Sequence, residues 1–196
     1  RLSNPSQTST LRIIGGNWRG RKVSFTPRPG LRPTPDRVRE TVFNWLQGKV
    51  GGRRSLELFA GSGILSLEAL SRGAASSTVV DSSKALTQHF RTIFNDFQIN
   101  SAQCRVHQQD AFKLIQTKPV QPYHLIFLDP PFDTARYLDI VPMLLKNEFL
   151  TPDGFLYLEA PSAEVIAEVA HQGLTLYRQK QAGQVHYALL NQGSLI

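Results

Sequence analysis

The stretch Leu125-Ile126-Phe127-Leu128-Asp129-Pro130-Pro131-Phe132 decides the fold of this chain. Its first four residues are all apolar, which is typical of a central strand that other layers cover on both faces. From residue 54 onward, short β-like runs alternate with longer runs in which apolar residues have helical spacing. This alternation predicts an α/β fold built on a mostly parallel, doubly wound sheet.

The pattern after residue 54 predicts a sheet of seven strands. The first five strands are predicted at residues 55–59, 76–81, 103–107, 123–128 and 154–159, and the helices that follow them at 63–72, 83–98, 110–116, 136–146 and 162–171. Two further β-like runs, at 174–178 and 185–190, flank Gly183 and predict a terminal antiparallel hairpin.

Residues 1–50 are predicted to form a small basic extension in front of a larger domain at 51–196. Within the extension we expect short strands at 11–14 and 22–25, with a glycine turn at Gly15-Gly16. A helix is then expected whose first turn contains Asp36. Thr34 is predicted to be its N-cap and Pro35 its first helical residue, and the helix is expected to end near Gln47.

The composition excludes several classes of protein. No apolar run approaches the roughly 18–20 residues that cross a bilayer. The only cysteine, Cys104, excludes an internal disulfide and a structural zinc site made of thiolates. The five histidines are scattered without metal-ligand spacing. We therefore expect a cytoplasmic protein without a metal, and a monomer for so short a chain.

The positive charge is concentrated in the first fifth of the chain. Residues 1–40 contain nine Lys or Arg and two acids, which accounts for the whole net charge of +7. A segregated basic segment is typical of a surface that binds a polyanion, although an ordinary solvated basic terminus is the alternative. The candidate nucleic-acid contacts are Arg12, Trp18, Arg19, Arg21, Lys22, Arg37 and Arg39.

Small-molecule ligands of a doubly wound sheet bind at the carboxyl ends of the strands. The first strand is followed by Gly61 and Gly63, which let a backbone pass close to a ligand, although a plain tight turn explains the pair nearly as well. Glu57 is an acid inside an apolar strand and could reach the ammonium group of a bound amino acid.

Acids also follow the second and third strands. Asp81 is placed to accept hydrogen bonds from both hydroxyls of a ribose, which fits a nicotinamide cofactor and S-adenosylmethionine alike. Asp110, before Ala111, could accept a hydrogen bond from an adenine amino group. Asp110 could equally be the N-cap of the next helix, and the two roles are compatible.

The segment after the fourth strand, Asp129-Pro130-Pro131-Phe132, is the most specific motif in the chain. Two prolines fix two φ angles and remove two backbone donors, so the loop is rigid and offers acceptors. Asp129 and the Pro130 carbonyl are expected to hold the amino group of a base, and Phe132 to stack on the base. A turn with a buried phenylalanine is the alternative.

These motifs together resemble the amino-methyltransferases of the Rossmann-like class I fold. The flanking segments are similar to those of the bacterial 16S rRNA guanine-N2 methyltransferase family called RsmD, over about residues 11–190. The segments that carry this resemblance are Arg12-Ile13-Ile14-Gly15-Gly16, Trp18-Arg19-Gly20-Arg21-Lys22, Pro33-Thr34, Asp36-Arg37-Val38-Arg39-Glu40, Phe59-Ala60-Gly61-Ser62-Gly63 and Ala182-Gly183-Gln184-Val185.

The resemblance implies S-adenosylmethionine as methyl donor, and as substrate one guanine of 16S rRNA, numbered 966 by convention, in an assembling 30S particle. It implies that Asp81 holds the ribose, that Asp110 and Ala111 meet the adenine, and that the segment from Thr34 to Arg39 closes over the cofactor or meets RNA. The methionine and ribose side would be formed by Glu57, Phe59, Gly61 and Gly63.

Three other functions fit parts of the pattern. A DNA adenine-N6 methyltransferase uses a similar Pro-Pro loop, but 196 residues leave little room for a DNA recognition domain. A non-catalytic RNA-binding module would not need the acids and glycines that are present. An NAD-dependent dehydrogenase would be expected to have a third glycine where Ser66 stands.

Overall fold

A computed structural model describes residues 8–27, 32–131 and 136–193. In these residues the chain forms nine strands and six α-helices. The strands are β1 (Ser9–Arg12), β2 (Lys22–Phe25), β3 (Arg54–Leu58), β4 (Ser76–Asp81), β5 (Cys104–Gln108), β6 (Tyr123–Leu128), β7 (Leu150–Ala160), β8 (Thr175–Ala182) and β9 (Val185–Asn191). The helices are α1 (Asp36–Trp45), α2 (Ile64–Ser71), α3 (Lys84–Phe97), α4 (Ala111–Leu114), α5 (Arg136–Lys146) and α6 (Ala163–Ala170).

Seven strands form one sheet in the order β5-β4-β3-β6-β7-β9-β8. The pairs from β5 to β7 are parallel, whereas β9 runs antiparallel to both β7 and β8. The predicted α/β fold, its seven strands and its terminal antiparallel hairpin are therefore confirmed. Because β3 has β4 on one side and β6 on the other, the chain reverses its direction of winding there, and the loops that follow β3 and β6 leave a crevice.

Strand β6 explains why the sheet needs two covering layers. Leu125 and Phe127 pack in an apolar cluster that contains residues of α1 and α2. Ile126 and Leu128 point to the opposite face, into a cluster that contains residues of α5 and α6. All four side chains are buried, so a continuous apolar run is what this position requires.

The N-terminal residues pack onto this domain. Strands β1 and β2 form a separate antiparallel pair, and a 3-10 turn at Gly16–Trp18 lies between them. Helix α1 buries Val38, Val42 and Phe43 against the sheet. The division of the chain at residue 50 stays a prediction, but α1 contributes to the same core as the larger part.

Two local predictions were wrong. The first strand lies at Ser9–Arg12 rather than at 11–14, because the N–H groups of Ile14 and Gly15 donate to the Glu68 carboxylate instead of a strand. Thr34 is not the N-cap of α1: Pro35 occupies that position, and the Thr34 hydroxyl donates to Glu159. In the described residues, no helix is long and apolar enough to cross a membrane.

Candidate active site

A cavity of about 1120 Å³ opens at the carboxyl ends of β3, β4, β6 and β7, where the winding of the sheet reverses. This volume is large enough for a nucleotide-sized ligand. The predicted site residues that line it are Thr34, Glu57, Phe59, Gly61, Asp81, Asp129, Pro130 and Pro131. Phe132, the fourth residue of the predicted motif, lies outside the described residues.

Asp81 holds the loop after β3 against the loop after β4. Its carboxylate accepts a hydrogen bond from the Gly61 N–H at 3.0 Å and another from the Ser83 N–H at 2.8 Å. A carboxylate has about four acceptor positions, so these two bonds leave capacity for a ligand. The side chain is partly exposed and faces the cavity, which suits a pair of ligand hydroxyls.

The turn after β3 contains two glycines, Gly61 and Gly63, and packing against α3 explains one of them, Gly63. Gly63 has φ +68°, and a Cβ atom there would lie 1.9 Å from the ring of Phe90. Gly63 is required for the close approach of α3 and is not among the residues that line the cavity, so its predicted close approach to a ligand stays a prediction. Gly61 does line the cavity, also at positive φ.

Phe59 has the left-handed backbone conformation that non-glycine residues rarely adopt, with φ +55°. Phe59 lines the cavity, and its ring makes a T-shaped contact with the ring of Phe112, with 6.3 Å between centroids. Such a conformation costs about 1–3 kcal/mol and is held by the surrounding structure. Phe59 directly follows the last residue of β3, at the cavity. A strained backbone at such a place is typical of a functional site.

Glu57 is buried at the cavity wall. Its Oε2 accepts a hydrogen bond from the Ser66 N–H, 2.9 Å away, in the first turn of α2. Burial raises the pKa of this carboxyl to about 7, and the bonds from α2 oppose the shift only in part. An acid so placed favours a cationic ligand, because a positive charge nearby would stabilise its ionised form.

Asp129 and Glu159 stand side by side at the ends of β6 and β7. The register pairs Leu128 with Leu158, so the two acids follow at equivalent positions. Burial, and then repulsion from Glu159 and Glu57, raises the pKa of Asp129 to about 8. Burial also raises the pKa of Glu159. We call Glu57, Asp129 and Glu159 the acidic cluster.

Sequence reasoning missed Glu159. The signal for it was the one that singled out Glu57, namely an acid within an otherwise apolar strand. It also missed Tyr137 of α5, whose hydroxyl lies 3.5 Å from the carbonyl oxygen of Pro130. This contact links the Pro-Pro loop to α5, and the carbonyl keeps a second lone pair for another donor.

Asp110 lies outside the cavity lining, as does Ala111. The Asp110 carboxylate accepts a hydrogen bond from the Lys113 N–H at 3.1 Å and caps the N-terminus of α4. The alternative role of Asp110, as the N-cap of the helix, is thus confirmed. A contact of Asp110 with adenine stays a prediction, and Ala111 is buried in the core.

Comparison with known proteins connects this geometry to a family. The family model described as "Conserved hypothetical protein 95" matches residues 11–191. A relative from Escherichia coli (strain K12), named ribosomal RNA small subunit methyltransferase D, is 39% identical over 186 residues, which cover 95% of this chain and 92% of the relative.

This chain belongs to the RsmD family. The solved structure of yhhF from Escherichia coli has a TM-score of 0.80 to this chain, with 37% identity, and covers 94% of this chain and 98% of the other. The structure of SMU.776, a methyltransferase complexed with SAH, has a TM-score of 0.72 at 15% identity, covering 96% and 57% of the respective chains. The fold of this RsmD family member is therefore the Rossmann-like methyltransferase fold.

Residues 9–25 of this RsmD chain contain the antiparallel pair β1 and β2, and we call them the basic hairpin. Arg19, Arg21 and Lys22 are exposed on it. The guanidinium of Arg21 lies 3.7 Å from the centroid of the Phe97 ring. Trp18 is half-buried, with its ring edge-on to Phe97 at 5.1 Å, so its predicted contact with nucleic acid competes with packing and stays a prediction.

The basic hairpin is fastened to α2 by Glu68. This fully buried carboxylate accepts hydrogen bonds from the Gly15 N–H at 2.8 Å and the Ile14 N–H at 3.0 Å. The Ser71 hydroxyl donates to the Gly15 carbonyl at 2.6 Å and accepts from the Trp18 N–H at 2.9 Å. The backbone segment that leads to the exposed cations is therefore tied to α2.

Arg39 was predicted to contact nucleic acid, and the structure corrects this prediction. Its side chain is fully buried. It forms an ion pair with Glu68 at 3.0 Å and another with Asp36, and it donates to the carbonyl oxygens of Arg12 and Thr34. Arg39 is thus a structural residue that ties α1 to α2 and to the basic hairpin.

The two remaining predicted cations, Arg12 and Arg37, are exposed, unlike Arg39. Arg12 keeps 63% of its side chain exposed and lies 3.5 Å from Asp36, and Arg37 is exposed on α1. Both are available to a polyanion. In the described part of the chain, no group of three or more His, Cys, Asp or Glu is arranged to hold a metal ion.

The acidic cluster predicts that the ligand-free protein loses stability as the pH rises from about 6 to 8.5. Glu57 and Asp129 have folded-state pKa values of about 7 and about 8, well above their ordinary values. In this range the folded protein retains protons that the unfolded chain releases, so the free energy of unfolding falls by about 1.4 kcal/mol per pH unit for each such proton.

Urea unfolding at four pH values in this range measures the effect. Asp129→Asn, which removes one of the buried acids, should flatten the dependence, whereas Asp139→Asn, on the exposed face of α5, should leave it unchanged. A free energy of unfolding that is constant or increases over this range contradicts the prediction.

Proposed function

We propose that this chain transfers a methyl group from S-adenosylmethionine to the N2 amino group of one guanine, number 966, in 16S rRNA of the small ribosomal subunit. The observation that carries the proposal is that Asp129 and Pro130, which offer two acceptors, line the same cavity as Glu57 and Asp81. The name of the Escherichia coli relative supports small-subunit rRNA as the substrate.

The cavity residues fit the proposed cofactor. When bound, S-adenosylmethionine supplies a methyl group already activated on a sulfonium, so the residues need only bind and orient. Asp81 has acceptor capacity for the ribose hydroxyls, and Glu57 has a buried carboxylate for an ammonium. The SAH complex of SMU.776, a protein of the same fold, agrees with this choice.

Asp129 and Pro130 act on the amino group that receives the methyl group. An exocyclic amine is a weak nucleophile because its lone pair is delocalised into the ring. Hydrogen bonds from its two N–H groups to a carboxyl oxygen of Asp129 and to the Pro130 carbonyl draw the nitrogen toward tetrahedral geometry. They also stabilise the positive charge that develops on it. Once methylated, the nitrogen is acidic and loses a proton to water.

Positioning supplies the rest of the rate enhancement. The consecutive prolines fix the loop after β6, and the Tyr137 hydroxyl contacts the Pro130 carbonyl. The base must leave its stack to reach the cavity, which costs a few kcal/mol. We propose that Phe132 offsets part of this cost by stacking on the base, a contact worth roughly 1–3 kcal/mol.

The basic hairpin and Arg37 provide the proposed RNA-binding surface. We propose that this surface binds the phosphates around the target guanine in an assembling 30S particle. We also propose that the enzyme acts as a monomer in the cytoplasm. Phosphate contacts of this kind position the RNA without reading its sequence. The selection of one nucleotide then depends on the shape of the particle and on the cavity.

Incubation with tritiated S-adenosylmethionine tests the proposed function. The acceptors are 30S subunits from cells that lack their own copy of this enzyme, the naked rRNA from those subunits, and duplex DNA. We expect label in the rRNA of the 30S subunits. Label in naked rRNA alone rejects the particle as substrate, label in DNA alone supports the adenine-N6 alternative, and binding of the donor without transfer supports the RNA-binding module.

Charge reversal on the basic hairpin tests the RNA-binding surface. In the triple variant Arg19→Glu, Arg21→Glu, Lys22→Glu, RNA binding is expected to weaken. The slope of log K against log salt should fall by about 0.7–0.9 for each phosphate contact that is lost.

The matched control makes the same charge change on the opposite layer of the sheet, at Lys113, Lys118 and Lys146. Filter binding from about 50 to 200 mM salt gives both slopes. If the hairpin variant keeps the wild-type slope, or if the control loses as much, the RNA-binding surface lies elsewhere.

A further inference from the structure

Glu159 is the member of the acidic cluster to which the proposed mechanism gives no role. It is 6% exposed and lines the cavity beside Asp129. The Tyr157 hydroxyl donates to its Oε1 at 2.7 Å, and the Thr34 hydroxyl donates to the same oxygen at 3.0 Å. Two donors on one oxygen fix the orientation of the carboxylate.

The other oxygen of Glu159 is left for a ligand. Among the described residues, none donates a hydrogen bond to Oε2, and none forms an ion pair with Glu159. A carboxylate removed from water is costly unless it is hydrogen-bonded. Because Glu159 lines the cavity, the donor that Oε2 lacks is one that a bound substrate could supply.

The position of Glu159 beside Asp129 limits which edge of a bound base it can meet. Asp129 and Glu159 end neighbouring parallel strands, so a base whose exocyclic amine is held at Asp129 can turn the ring edge beside that amine toward Glu159. Guanine carries the N1–H donor on one side of its exocyclic amine and the N3 acceptor on the other, and only the N1 side suits a carboxylate. Adenine and cytosine carry an unprotonated ring nitrogen there, which is an acceptor. A carboxylate at this place attracts guanine and repels the other two.

We propose that Glu159 is a specificity-determining residue that accepts the N1–H of the target guanine through Oε2. This inference rests on the proposed function, since it assumes that Asp129 holds the N2 amino group. The Thr34 hydroxyl, from the segment before α1, helps to orient the Glu159 carboxylate by donating to its Oε1.

Replacement of the target guanine by 2-aminopurine tests the proposal directly. This analogue keeps the 2-amino group but has no hydrogen on N1. Small subunits reconstituted with 16S rRNA that carries either base at the methylated position are assayed for kcat/KM. We expect the wild-type enzyme to prefer guanine by about 10²-fold or more, because the analogue leaves the Glu159 carboxylate without its donor.

The Glu159→Gln variant is expected to lose this preference. Its amide can donate to the unprotonated N1 of 2-aminopurine, so the ratio of the two kcat/KM values should fall to within about 10-fold. The matched control is Glu168→Gln, on the exposed face of α6, which should keep the wild-type ratio. S-adenosylmethionine affinity, measured by calorimetry, should be unchanged in both variants.

The outcomes separate this proposal from the proposed function. If the wild-type enzyme methylates guanine but uses 2-aminopurine equally well, or if Glu159→Gln keeps the full wild-type preference, Glu159 does not read N1 and the proposal is overturned. The wild-type comparison does not depend on the folding of any variant. If the wild-type enzyme places no methyl group on guanine N2, the proposed function itself is rejected, and this inference with it.

Discussion

Asp129→Ala is expected to slow methyl transfer about 10²–10³-fold and to leave S-adenosylmethionine affinity within about twofold of the wild type. The alanine variant removes the acceptor that orients the amine and stabilises its developing charge. The residues proposed to hold the cofactor, Glu57 and Asp81, remain in place. The loss should therefore appear in kcat rather than in cofactor binding.

Single-turnover kinetics with saturating RNA separates the roles that Asp129 could have. Asp129→Asn keeps an oxygen acceptor at the same place and should retain more activity than Asp129→Ala, because the hydrogen bond and not proton abstraction is the proposed contribution. Asp139→Ala, on the exposed face of α5, is the control. A wild-type rate in Asp129→Ala removes Asp129 from the mechanism, and equal losses in both variants favour a general base.

Arg39→Ala is expected to lower the free energy of unfolding by about 3–5 kcal/mol, whereas Arg37→Ala should change it by less than about 0.5 kcal/mol. The two arginines are separated by one residue on α1. Arg39 is fully buried and paired with Glu68, while Arg37 is exposed. Truncation of Arg39 leaves the Glu68 carboxylate buried with one cation fewer, and also removes donors to two carbonyl oxygens.

Urea denaturation of both variants, with RNA affinity measured alongside, checks this contrast. Arg37→Ala should weaken RNA binding with unchanged stability, because Arg37 is available to a phosphate. Arg39→Ala should lower the denaturation midpoint strongly. Similar midpoints for the two variants contradict the burial of Arg39, and unchanged RNA affinity in Arg37→Ala removes Arg37 from the RNA-binding surface.

The fold was predictable because its determinants are local in the sequence. The apolar run at Leu125–Leu128 requires two covering layers, and the alternation of strand and helix patterns around it predicts a parallel sheet. The ends of the strands then identify Asp81 and Asp129, since ligands bind there. The terminal hairpin follows from two β-like runs around Gly183.

The features that could not be predicted depend on partners distant in the sequence. The charge of Arg39 is evident, but its burial depends on Glu68, 29 residues later. The role of Gly63 depends on the ring of Phe90, which α3 supplies. The Thr34 hydroxyl bonds Glu159 across 125 positions of sequence rather than capping its own helix. Such contacts exist only after the layers have packed.

The identity of the methylated nucleoside tests the central claim most directly. The rRNA of 30S subunits treated with enzyme and S-adenosylmethionine is digested to nucleosides, and the modified nucleoside is identified by mass spectrometry and mapped to its position. We predict N2-methylguanosine at one position of 16S rRNA, present with the wild-type enzyme and nearly absent with Asp129→Ala. A methylated adenosine or cytidine, or N2-methylguanosine spread over many positions, would contradict the proposed function.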